Sequence, residues 1–105
     1  MKDRPRTRRK RKFERQFGPP GYVEWMQQQN CIVCGRTPCE VAHVRSRGAG
    51  GGWENNTVPM CTVCHRQQHD CGIQTFQRRH SVDMAERARE YTTRWQERGG
   101  YDIGF

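Results

Sequence analysis

The sequence predicts a small α+β domain that needs a staple, with a short leading helix and a longer closing helix. Three observations carry this expectation. Two Cys-x-x-Cys turns, Cys31 to Cys34 and Cys61 to Cys64, bracket the middle of the chain. Two short stretches with β-branched residues, Glu40–Val44 and Thr57–Cys61, lie beside those turns. Met84, Ala88, Tyr91 and Trp95 then form one apolar face at helical spacing. Only 32% of the 105 residues are apolar, so the chain supports one domain at most, with a thin core.

The charge is divided as unevenly as the apolar residues are sparse. Residues 1–17 carry nine basic and two acidic groups, a net of +7. The rest carries ten Arg and nine acids, a net of +1. So charged a segment cannot fold alone, and Gly18-Pro19-Pro20-Gly21 breaks any helix. Residues 1–21 are therefore expected to be a disordered basic arm and linker, with the domain proper at 22–105. Arg8, Arg9, Lys10, Arg11 and Lys12 would contact a polyanion such as DNA through its phosphates, whatever the base sequence. Phe13 and Phe17 do not interleave regularly with the cations, so base stacking is not suggested. The plainer reading is a solubilising tail.

The elements follow in order. Tyr22 to Gln29 reads as a short helix, with Tyr22, Val23, Trp25 and Met26 as its apolar members. Cys31 to Gly35 is a tight turn. Glu40–Val44 is a strand without clean alternation, and residues 48–52 are a glycine loop. Thr57–Cys61 is a second strand, which Pro59 restricts to an edge or a bulge. Thr62 to Asp70 reads as a helix stopped by Gly72. In the last helix Ser81 is the expected N-cap, Asp83 lies in the first turn, and Gly99-Gly100 is the expected end. Its apolar face is read as core packing.

The longest unbroken apolar run is four residues, Cys31 to Cys34. No membrane-spanning helix and no export signal can be built from it, which predicts no membrane partner and a cytoplasmic location. In that reducing compartment six cysteines point to metal rather than to disulfides. Cys31, Cys34, Cys61 and Cys64 supply the four thiolates of a tetrahedral structural Zn2+. Twenty-six residues separate the pairs, more than a zinc ribbon needs, so the intervening loop is expected to hold something of its own. Buried free thiols and a redox pair are the rival readings, although no βαβ context supports the latter. Cys61 to His65 also fits the pattern for covalent haem attachment, which would leave the first cysteine pair and the basic arm unexplained. Cys39 and Cys71 are read as small core residues, with extra metal ligation as the alternative.

His43, the glycine loop, Asn56 and then Cys61-x-x-Cys64-His65 together resemble the motif of the HNH (ββα-metal) endonucleases. The resemblance covers about Cys31 to Asp70. The tract from Ala42 to Gly51 and the leading Tyr22-x-x-Trp25 are most similar to small HNH nucleases of phages and prophages, some of which act in recombination. The resemblance implies a treble-clef-like ββα-metal fold on the zinc frame. It also implies metal-dependent hydrolysis of DNA to a 5′-phosphate and a 3′-hydroxyl, in a bacterial or phage-infected cell.

In that reading His43 is the general base, a role suited to imidazole near neutral pH. Asn56 holds the two strands or orients the His43 ring. His65 binds a catalytic divalent ion, Mg2+ or another, and Arg45 or Arg47 offsets phosphate charge. His65 has the alternative of completing the zinc site. Ala42 departs from the family pattern, which has a metal-ligating Asp or His there. His69, one helical turn after His65, matches the second His of colicin-type members and is the favoured substitute, with Glu40 the weaker one. His43 as a ligand and a site without activity are the remaining possibilities. A non-catalytic zinc module that binds DNA or a recombination protein is the alternative function.

Overall fold

A computed structural model describes residues 8–46 and 51–103. The chain order is α1 (Arg8–Phe17), α2 (Tyr22–Gln27), β1 (Glu40–His43), β2 (Thr57–Met60), α3 (Thr62–Cys71), α4 (Ile73–His80) and α5 (Met84–Ile103). The expectation of a small α+β chain therefore holds among the described residues. None of these helices is long and apolar enough to cross a membrane.

The expected disorder of the arm is corrected over residues 8–17, which form α1. Phe13 and Phe17 sit one turn apart and stack at 4.9 Å. Gly18 ends the helix with φ 92°, and its N–H donates to the Glu14 carbonyl at 2.8 Å. A Cβ at Gly18 would come within 2.5 Å of the Tyr22 ring, so glycine also allows the chain to turn tightly into α2.

Helix α2 buries Tyr22 and Met26 completely. The Tyr22 hydroxyl lies 2.6 Å from Thr57 Oγ1, and its ring packs against Trp25, Trp53 and Trp95. Tyr91 of α5 joins this aromatic cluster. A second core gathers Cys31, Cys39, Cys61 and Cys64 with Ala42, Val58, Met60, Phe76, Met84 and Ala88.

Between these side chains β1 and β2 pair antiparallel, with Glu40 opposite Met60 and His43 opposite Thr57. Pro59 is accommodated because a two-stranded sheet has an open edge on each strand. The Pro59 carbonyl on that edge accepts from Ile32 N–H at 3.1 Å.

Two expectations at the closing helix are corrected. Ser81 does not cap α5; it takes the left-handed conformation (φ 52°) that ends α4. Asp83 is the capping side chain, its Oδ1 accepting from Glu86 N–H at 3.1 Å. The helix also continues through Gly99 and Gly100 to Ile103. The Met84, Ala88 and Tyr91 face is buried as expected, and Trp95 is partly so. The sequence reading assigned no element to α4. Its Phe76 is fully buried and ties it to the cysteine-side core.

Candidate metal centre and histidine cavity

The four cysteines converge from two local structures. Cys31 and Cys34 lie on the turn after α2. Cys61 and Cys64 lie at the junction of β2 and α3, where Cys61 Sγ accepts from Cys64 N–H as the cap of α3. Val33 N–H points to Cys31 Sγ in the same manner, at 3.4 Å. One sulfur from each residue lies within 4.8 Å of the other three. Thiolates about 2.3 Å from one ion would stand at such separations, so the set can hold a metal such as zinc.

The electrostatics agree with that fit. Burial works to raise the Cys31 thiol, but backbone N–H groups around its sulfur outweigh it and bring it down to about 7. Burial and the neighbouring thiols push Cys64 up. Four sulfurs this close cannot all carry charge unless a cation lies among them. Cys39 stays outside the set. It is buried, its thiol is raised to about 11 by burial and by the nearby cysteines, and it donates to the Arg36 carbonyl.

Histidines line a separate cavity beside α3. His43, His65 and His69 line one open cavity of about 780 Å3, together with Gln16, Phe17, Val41 and Val44. His65 Nδ1 lies 2.7 Å from Glu40 Oε1. A carboxylate accepts, so Nδ1 carries the proton and the other nitrogen, Nε2, is left with its lone pair. That Nε2 is 3.2 Å from Nε2 of His69. Two nitrogens at that separation would subtend roughly 100° at an ion about 2.05 Å from each, an angle that suits a metal-binding pair. The hydrogen bonds from His65 and Thr62 hold the Glu40 carboxyl below the usual range. Glu40 thus buttresses His65, where the sequence reading had weighed it as a direct ligand. Among the described residues only the cysteines bring three or more ligating atoms together, and the histidine pair supplies two.

His43 stands at the end of β1. Its Nε2 is 2.7 Å from the Gln16 carbonyl, and its ring meets the Phe17 ring edge to face at 5.2 Å. Ala42 turns away from this cavity and is fully buried in the core. Asn56 is buried and clips the loop between the strands. Its Oδ1 accepts from Arg45 N–H at 2.8 Å, while Nδ2 donates to the carbonyls of Arg45 and Gly52. Of its two expected roles, joining the strand ends agrees with these bonds; none of them reaches the His43 ring.

The candidate DNA-contacting residues lie elsewhere. Arg45 is exposed and lines a neighbouring cavity with Arg15 and Gln16. Lys10, Arg11 and Lys12 are exposed along α1. Arg47 and the side chains of Arg8 and Arg9 lie outside the described residues. Gln16 and Phe17 were missed as site residues. The Phe13/Phe17 spacing followed by Gly18 was the available signal for a helix there. No family model, no curated protein and no solved structure matches this chain.

Proposed function

We propose that this protein is a metal-dependent DNA endonuclease of the HNH (ββα-metal) type, acting in phage or prophage DNA processing or recombination within a bacterial cell. One observation carries the reading: His43 shares a cavity with a His65/His69 pair whose ring nitrogens are 3.2 Å apart. In this reading Cys31, Cys34, Cys61 and Cys64 hold a structural Zn2+, and His65 and His69 hold Mg2+ or another divalent ion. That second ion would offset charge on the phosphate and on the leaving oxygen.

The chain's own groups do the rest. His43 takes a proton from water as the water oxygen bonds to phosphorus, the bond from phosphorus to O3′ breaks, and O3′ takes a proton from solvent to leave as the 3′-hydroxyl. Glu40 fixes the ring of His65. Asn56 fixes the loop that carries Arg45, whose exposed guanidinium attracts phosphate.

The test is cleavage of duplex and single-stranded DNA across divalent ions by wild type and His43→Ala. Loss of the base should lower cutting by about 100-fold or more and leave zinc content and DNA affinity unchanged. A wild type that binds DNA and cuts nothing with any ion sinks the proposal. It would favour the second reading, a non-catalytic zinc module for DNA or a recombination protein. The observation behind that alternative is the buried, non-ligating Ala42.

A further inference from the structure

Helix α1 ends in carbonyls that the body of the domain satisfies. The last four carbonyls of any α-helix lack partners within it. Here Glu14 accepts from Gly18 N–H at 2.8 Å, and Arg15 accepts from Trp53 N–H at 3.0 Å. Gln16 lies 2.7 Å from His43 Nε2. A carbonyl only accepts, so Nε2 must carry the proton. In a neutral ring the lone pair then sits on Nδ1.

We infer that α1 is a positioning element of the catalytic site, its Gln16 carbonyl holding His43 as the Nε2–H tautomer so that Nδ1 receives the proton. This rests on the endonuclease reading for its catalytic consequence. Water would give its proton to Nδ1, and the resulting imidazolium would keep its Nε2–H on the Gln16 carbonyl. The proton on Nδ1 then passes to solvent. Phe17 packs edge to face on the same ring and limits its rotation. The segment carrying the exposed cations Lys10, Arg11 and Lys12 is thus the segment that sets the ring, and binding and chemistry meet on one helix.

Two substitutions loosen the contact without touching His43. Phe17→Ala removes the ring packing. Gly52→Ala places a Cβ about 2.8 Å from the Arg15 carbonyl, which wedges the last turn of α1 outward. The full-length chain is labelled with 15N at histidine and read at a pH where neutral imidazoles dominate. Wild type should show His43 as Nε2–H. Both variants should shift His43 toward a tautomer mixture, while His65, held by Glu40, keeps its signals. Cutting by the variants should show kcat lowered roughly 10- to 100-fold with little change in KM. A wild-type His43 in the Nδ1–H form overturns the inference, as do His43 signals identical in wild type and both variants. If wild type cuts no DNA, the endonuclease reading falls, yet the tautomer still decides whether α1 sets the ring.

Discussion

Asn56 concentrates several backbone demands in one side chain. The amide is 1% exposed, and its three hydrogen bonds join Arg45, at the exit of β1, to Gly52 on the approach to β2. A buried polar group left without its partner costs about 1–3 kcal/mol, and Asn56→Ala strands three while opening a cavity. Partial access to water reduces the sum, so the expected destabilisation is about 3 kcal/mol by urea unfolding. Asn56→Asp should do no better. It keeps an acceptor for Arg45 N–H but presents a carboxylate to two carbonyls, so charge repulsion replaces two hydrogen bonds. A loss under about 0.5 kcal/mol for Asn56→Ala would mean that the clip contributes nothing. The sequence marked Asn56 through a family pattern, but its three partners are backbone groups, which residue identities do not reveal.

At the scale of elements, the proposed endonuclease reading gives α1 two functions that substitution can separate. Lys10, Arg11 and Lys12 are exposed, whereas the carbonyls of Arg15 and Gln16 face the domain. Replacing the three cations with Gln preserves helix propensity. The slope of log affinity against log salt should fall by up to about 2.7, at roughly 0.9 per lost phosphate contact. Turnover on bound DNA should stay the same because the docked end is untouched. A fall in kcat equal to that in affinity would show that the cations also act at the site. The legible elements were those with local signals. The cysteine turns have a fixed spacing, and the Met84, Ala88, Tyr91 face is periodic. Helix α1 was illegible because its charge density argues against folding alone. The body supplies what it lacks, through Trp53 N–H and the His43 ring. The boundary at α5 failed for a related reason. Ser81 has the right chemistry for an N-cap but is already committed to ending α4, and Asp83 takes the role.

At the scale of the whole molecule, the four-cysteine cluster predicts a fold that depends on metal. The aromatic core around Tyr22 is built from α2 and α5 with Trp53. The other core contains three of the four clustered cysteines, Cys31, Cys61 and Cys64, with Cys34 exposed at its edge, so its apolar members border the would-be metal site. Without an ion the four sulfurs must share protons at close range, three of them buried, and burial and neighbouring thiols already push Cys64 up. Zinc sites of this kind contribute about 10–16 kcal/mol in isolated small domains. The total stability of a domain is about 5–15 kcal/mol. The chain stripped of metal should therefore be largely unfolded at 25 °C. Far-ultraviolet circular dichroism should report loss of helix, and near-ultraviolet signals from Trp25, Trp53 and Trp95 should collapse with it. One equivalent of Zn2+ should restore both, and Mg2+ should restore neither, because thiolates select the softer ion. Lower pH should act in the direction of metal loss, since protons compete for the same sulfurs. If the tryptophan signals survive metal removal while helix is lost, the aromatic core folds independently and the staple serves only the cysteine side. If neither signal changes, the four cysteines hold no structural ion and the thin core is sufficient by itself.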